Sequence, residues 1–272
     1  MDDPHYLARA EAILKEQDRK TAGYIGEGST FLLLIVIGAI FVYREVRRQI
    51  RLQLQQQNFM MAVTHELKTP IAVTKLNLET LQKHKLDEAK QQKMIQAALQ
   101  ETNRLDTLAS NILVASQLEV GDYVQTKEPL DLSALVGHSV HDYRVRFPER
   151  RWDEQLQPEI SVVGDHMLLQ MLVNNLVENA IKYSPREGVI TVELAKKGRH
   201  THLSVKDEGQ GIPDEEKKKI FAKFYRAGQE TTRRTKGTGL GLYLCRKIAE
   251  DHKATLKVTD NSPVGSIFTV IF

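Results

Sequence analysis

The strongest hydropathy signal in the chain is an uncharged stretch from Gly28 to Tyr43, nearly all aliphatic between Phe31 and Val42. A membrane-spanning helix needs about 20 residues. Extending the stretch back to Tyr24 reaches that length and takes in Glu27. Tyr24 and Tyr43 then sit at its two ends, where aromatic side chains suit membrane interfaces. A buried core helix would read similarly. Against that reading, Arg44, Arg47, Arg48 and Arg51 come directly after it and no partner helix precedes it. The arginines predict a cytoplasmic location for the C-terminal part of the chain, although Lys15, Arg19 and Lys20 weaken the asymmetry. Asp2, Asp3, Glu11 and Glu16, and the late start of the apolar run, do not fit a signal peptide. The first 27 residues are mostly polar, too few for a folded sensor. Sensing would then fall to the membrane segment or to chain preceding this sequence.

A second pattern starts after a glutamine-rich helical stretch from Arg44 to about Gln57. Met60, Thr64, Leu67, Ile71, Thr74, Leu78 and Leu81 recur at steps of four and three, a heptad-like seam. The run ends around Lys83 to Leu86, and a further helix begins near Asp87. Ala98, Leu105, Leu108, Ile112 and Ala115 form its stripe, and Gly121 with Asp122 closes it. Two such helices make a hairpin. Each seam needs more apolar cover than one partner offers, so two hairpins are expected to form a dimeric four-helix bundle, with a monomeric hairpin as the alternative.

Beyond Gly121 the pattern is mixed. Strands are predicted at Thr126 to Leu130, Ile160 to Gly164, Val189 to Ala195, His202 to Asp207, Leu256 to Val258 and Ser266 to Phe272. Helices are predicted from Asp131 or Ser133 to about Phe147, from His166 to Tyr183, from Asp214 to Phe224 and from Leu240 to Asp251. Pro148 to Pro158 reads as a loop, and Arg226 to Lys236 as a polar, mobile lid. This mixture implies a two-layer α/β domain.

Composition narrows the function. A chain of 272 residues, 41% hydrophobic and 27% charged, has room for about two ordinary domains and a real core. A net charge of +3 gives no reason to expect nucleic acid as a partner. Cys245 stands alone, so no internal disulfide is possible, and nine scattered histidines without ligand spacing do not suggest zinc.

Five strings carry the chemistry. In His65-Glu66-Leu67-Lys68-Thr69-Pro70, His65 falls just beside the seam, toward solvent. Pro70 cannot donate to the carbonyl of Glu66, so the helix should loosen or bend there. Glu66 can take the imidazole's second proton or orient the ring. Asn175 and Asn179 lie four apart on one helix face with Lys182 near them. An amide oxygen is a neutral hard ligand for magnesium, and the lysine suits phosphate. The same asparagines could be capping or core residues. Asp207 ends a strand and precedes Gly209 and Gly211. Its carboxylate can accept from an adenine amino group while the glycines let the backbone approach. Gly237, Gly239 and Gly241 precede a helix, where N–H groups favour phosphate. Their spacing is neither a dinucleotide fingerprint nor a Walker loop, and a flexible turn reads alike. Phe221 and Phe224 are core residues or seats for the lid. A phosphate acceptor and a phosphate donor site in one chain suggest a kinase that phosphorylates its own histidine.

Taken together and in order, these strings resemble the H, N, G1, F and G2 boxes of bacterial sensor histidine kinases of two-component systems. The resemblance covers roughly Gln57 to Phe272. It implies the histidine-kinase dimerisation domain followed by an α/β two-layer sandwich of the GHKL ATP-binding type. The expected organisation is a polar segment over 1–23, a transmembrane helix over 24–43 and a helical linker over 44–56. The dimerisation and phosphotransfer domain then covers 57–121, and the catalytic domain 122–272. His65 is implied as phosphoacceptor, Glu66 as acid/base, Thr69 as a phosphatase residue and Asn179 as the Mg2+ ligand. Asp207 is implied as the adenine contact. The remaining ATP contacts would be Asn175, Lys182, Tyr183, Gly209, Gly211, Phe224, Lys236, Gly237, Thr238, Gly239, Leu240 and Gly241. Expected partners are a second copy, the receiver domain of a response regulator and membrane lipid, with the kinase on the cytoplasmic face of the inner membrane. His252-Lys253-Ala254 stands where the family more often has His-Gly-Gly. A catalytically silent module should have lost Asn179, Asp207 or the lid glycines. An ATPase that drives a clamp would leave the histidine string without a purpose.

Overall fold

The computed structural model describes residues 4–124, 126–226 and 238–272. The chain divides into two units, Met1–Gln56 and Gln57–Phe272. Helix α1 (Pro4–Lys83) contributes to both. In the first unit it exposes Phe31, Ile35 and Phe41, and among the described residues it is the one helix long and apolar enough to cross a membrane.

In the second unit the chain leaves α1 through His84 and Lys85 and enters α2 (Glu88–Val120). Asp87 caps α2 by accepting from the Lys90 N–H at 2.9 Å, and Gly121 ends it at φ 82, a left-handed position suited to glycine. The predicted α2 stripe is buried or half-buried at Ala98, Leu105, Leu108, Ile112 and Ala115. On α1 the face toward α2 is different from the predicted seam. Val63, Glu66 and Pro70 are buried, whereas Met60, Ile71 and Leu78 are 56%, 53% and 54% exposed. One hairpin thus covers the neighbouring stripe and leaves half of the heptad uncovered. Pro70 lies inside α1 without ending it.

The remaining elements are β1 (Glu128–Asp131), α3 (Leu132–Arg146), β2 (Arg151–Leu156), β3 (Ser161–Gly164) and α4 (His166–Tyr183). They continue with β4 (Val189–Lys197), β5 (His200–Lys206), α5 (Asp214–Lys217), α6 (Gly241–Asp251), β6 (Thr255–Asp260) and β7 (Ser266–Ile271). Five strands form a sheet in the order β2-β4-β5-β7-β6, and β1 pairs with β3. Alternation turns Val192, Leu194, Leu203, Val205, Phe268 and Val270 inward, in register across β4, β5 and β7. Leu168, Leu172 and Leu176 of α4 and Leu244 and Ile248 of α6 close the core over that face.

Three expectations need correction. Pro148 to Pro158 is not all loop, because Arg151–Leu156 adds as a parallel edge strand to β4. The helix expected from Asp214 to Phe224 stops at Lys217, whose ammonium is held by both Asp214 and Asp260, each at 2.6 Å. Turns carry the chain on to Phe224. The strand predicted from Thr126 begins only at Glu128. Of the two proposed caps for α3, Asp131 accepts from the Ala134 N–H at 3.0 Å, while Ser133 instead bridges Gln157 and Ile160.

Candidate functional site

His65 sits on the exposed side of α1, beside a shallow depression lined by Met60, Met61, Thr64 and Lys68. Glu66 is turned the other way. It is only 8% exposed, and its Oε2 receives Arg104 Nη2 of α2 at 2.7 Å. Arg104 also lies 3.8 Å from Glu101. Thr69 Oγ1 donates back to the His65 carbonyl at 3.2 Å. The imidazole is therefore presented outward on a turn that is anchored from behind by an ion pair and a side-chain back-bond.

α4, the turn after β5 and the start of α6 meet, with Gly241 against Asn175 and Gly209 against Tyr183. Asp165 caps α4 through the Leu168 N–H at 3.1 Å, and Ser184 before Pro185 ends it. Asn175 is buried and donates to the Met171 carbonyl at 2.8 Å. A methyl group on Gly241 would meet Asn175 Oδ1 at 2.8 Å, so the α6 N-terminus rests against α4 at this asparagine. One turn on, Asn179 Nδ2 is buried with no hydrogen-bond partner among the described residues. A native amide left this way is costly unless something else takes its bonds. Lys182 is three residues further, its ammonium 5.1 Å from the centre of the Tyr183 ring.

Asp207 stands at the end of β5, 4% exposed. Its Oδ1 accepts from the Gly209 N–H at 2.8 Å and the Ser266 N–H at 3.3 Å. Burial pushes its carboxyl above the ordinary range, with the two N–H bonds working against that shift. Oδ2 makes neither bond and is the atom left to meet a ligand. The backbone approaches closely here. A Cβ on Gly209 would meet the Tyr183 carbonyl at 2.7 Å, and one on Gly265 would lie 1.9 Å from the Asp207 carbonyl. Gly211 takes φ +75.

At the other wall, Thr238 Oγ1 accepts from the Leu240 N–H at 3.4 Å, and Gly239 takes φ +74 with Tyr225 O 2.8 Å from where its Cβ would be. Leu240 is buried, and no side chain among the described residues caps α6, a helix start of the kind that favours an anion. Lys236 and Gly237 lie outside the described residues, as does most of the predicted lid. The Phe224 backbone lies against Gly239, its carbonyl carbon 2.9 Å from where a Cβ there would be. At φ 64 Phe224 stacks on Phe59 of α1, ring centres 3.9 Å apart, and Lys223 pairs with Glu119 of α2.

These donors fit magnesium-bound nucleotide. Asn179 can offer its amide oxygen to a cation while its unpartnered Nδ2 donates to a phosphate or water oxygen, and the described residues hold no cluster of three acidic, histidine or cysteine side chains. Such a site suits Mg2+ that takes its other ligands from phosphate and water. The sequence reading passed over Arg104, Phe59, Ser266 and Gly265, all contributors to these arrangements. Gly265 before an alternating strand was the only local signal among them.

Two family models match the chain. Residues 55–121 match the His Kinase A (phospho-acceptor) domain. Residues 164–272 match the histidine kinase-, DNA gyrase B- and HSP90-like ATPase. The sensor-like histidine kinase SenX3 of Mycobacterium tuberculosis is 28% identical over 222 residues, covering 81% of this chain and 54% of the relative. The sensor protein CiaH of Streptococcus pneumoniae is 31% identical over 246 residues, covering 89% and 55%. The chain thus spans about half the length of these curated relatives. In fold it is similar to the Acinetobacter baumannii histidine kinase AdeS, at 24% identity and TM-score 0.52, over 76% of this chain and 96% of that one.

Proposed function

Because the chain belongs to the sensor histidine kinases of two-component systems, we propose that it transfers the γ-phosphoryl group of Mg-ATP to His65 and then to an aspartate of a response regulator. The observation that carries this reading is one folded unit holding both an outward-facing imidazole and a site with an unpaired amide, a buried carboxylate and an uncapped helix N-terminus. Asp207 would select adenine through Oδ2. Asn175 and Gly241 would keep α6 against α4, so that its N–H groups meet the phosphates. Lys182 would add positive charge. Asn179 would hold Mg2+, which when bound neutralises charge on the phosphate oxygens.

The transfer itself needs positioning more than covalent help. A ring nitrogen of His65 attacks the γ-phosphorus, the bond to the β-bridging oxygen breaks, and ADP leaves. Glu66 faces Arg104 in this structure and would accept the proton released by the ring only after its carboxylate swings round to the His65 side. Phosphoryl transfer to a carboxylate of the docked regulator then restores the imidazole. With Thr69 the same site would orient water for the reverse duty, dephosphorylation of the regulator.

The uncovered apolar stripe of Met60, Ile71 and Leu78, with Leu99 58% exposed on α2, supports assembly of two hairpins into a four-helix bundle. The apolar helix segment with arginines directly after it supports anchoring in the inner membrane, with the kinase on the cytoplasmic side. The test is labelling with γ-labelled ATP. Wild type should take up acid-labile phosphate, and His65→Ala should take up none while still binding Mg-ATP. Undiminished acid-labile phosphate in the variant would remove His65 from this role.

A further inference from the structure

The nucleotide site depends on the last turn of α4, yet none of the five strings accounts for how that turn is fixed. Residues 122–163 lie between the two regions matched by the family models. Within them, Arg150 comes after the end of α3 in a tight turn, its N–H bonded to the Phe147 carbonyl at 3.1 Å, and β2 begins at the next residue. The side chain is half-buried and reaches the C-terminus of α4. Nη2 donates to the Ile181 carbonyl at 2.8 Å, and Nη1 to the carbonyls of Ser184, at 3.4 Å, and Pro185.

Those carbonyls belong to the end of a helix, where acceptors lack intrahelical partners and a cation is favoured. The segment they hold has two duties. Going backward it carries Lys182 and Tyr183, with Asn179 one turn earlier. Going forward it supports the Asp207 turn. Ser184 Oγ accepts from the Glu208 N–H at 3.3 Å, Glu208 Oε2 accepts from the Val189 N–H at 3.0 Å, and the Tyr183 carbonyl abuts Gly209. A shift of 181–185 would therefore move the phosphate-side and adenine-side walls together.

We propose that Arg150 is a positioning residue for nucleotide recognition: its guanidinium, bridging three carbonyls at the end of α4, sets the distance between Asn179 with Lys182 and the Asp207 turn. This rests on the nucleotide reading above. The planar fork matters, since a lysine ammonium is a point charge that cannot span the same set.

The test is calorimetric titration of the full chain in detergent with Mg-ATP and, separately, Mg-GTP. Comparing the two separates positioning from general destabilisation, because only a displaced Asp207 turn changes the preference for adenine. Arg150→Ala is expected to weaken ATP binding about tenfold and to lower the ATP-over-GTP preference, as misplaced contacts do. Arg150→Lys should fall between that variant and wild type, and it keeps the test usable if the alanine form does not fold. Tyr143→Phe is the control. It removes another bond from α3 to α4, Tyr143 Oη to Glu178 at 2.8 Å, away from the last turn. It should lower stability without changing the preference. Wild-type affinity and preference in both Arg150 variants would overturn the proposal, as would an equal loss of preference in Tyr143→Phe. A wild-type chain that binds neither nucleotide would overturn the nucleotide reading itself.

Discussion

Asp207→Asn separates the fold of the site from its chemistry. Asp207 Oδ1 is engaged by the N–H groups of Gly209 and Ser266, and an asparagine oxygen can keep both bonds. What changes is the other atom, which turns from charged acceptor into donor. An adenine amino group would then meet donors. Losing a charge-assisted bond and leaving donors unpaired costs about 3–4 kcal/mol, which raises Kd for Mg-ATP by two to three orders of magnitude at about 1.4 kcal/mol per decade. Stability moves the other way. Burial holds the folded-state pKa of Asp207 above its ordinary value. Between those two values the folded state binds more protons than the unfolded one, so stability falls as pH rises through the window and stays lowered above it. Asparagine does not titrate and escapes that penalty. The nucleotide-free variant should be at least as stable as wild type at neutral pH, with a flatter profile in the acid range. Calorimetry with Mg-ATP and thermal melts across acid to neutral pH measure both effects. A Kd within threefold of wild type, or a neutral-pH melt several degrees lower, would refute the reasoning.

Three further outcomes are expected. Lys253 is exposed at φ 57. Since a left-handed conformation costs an L-residue about 1–2 kcal/mol and glycine returns about 0.5–1 in chain entropy, Lys253→Gly should raise Tm by about 2–4 °C, and a lower Tm would contradict this. Arg104→Ala leaves the buried Glu66 carboxylate without its partner. It should cost about 1–3 kcal/mol in urea unfolding and alter the pH dependence of His65 phosphorylation, whereas unchanged values of both would make the pair incidental. Thr69→Ala loses only a back-bond to His65 and should stay within about 0.5 kcal/mol of wild type. It should keep autophosphorylation but lose accelerated dephosphorylation of the regulator, and a joint fall of all activities with stability would show Thr69 to be structural.

Much of the fold was readable because its signals are local. Alternation in Val189–Ala195 and His202–Asp207 reports a half-buried hairpin, and Asp87, Asp131, Asp165 and Gly121 mark helix ends by their own hydrogen bonding. The edge strand Arg151–Leu156 was not readable, because most of its side chains are exposed and its identity comes from pairing with β4. The heptad seam was visible as a period, but the choice of which stripe meets α2 depends on how the hairpin closes. The candidate site divides in the same way. Short strings mark its walls, while the residues that brace them, such as Arg104 behind His65, Ser266 beside Asp207 and Arg150 at the end of α4, find their partners far along the chain.

The stack of Phe224 on Phe59 has a thermodynamic consequence. Phe59 lies six residues before His65 on the same helix, and the Phe224 backbone lies against Gly239, just before α6. Any turn of α1 about its axis at Phe59 alters the seat of Phe224. If that seat influences nucleotide binding, reciprocity applies: the occupant of the site must bias the turn of the helix by the same free energy with which the turn alters its binding. ATP, ADP and an empty site would then be three distinct inputs to the helix that carries His65.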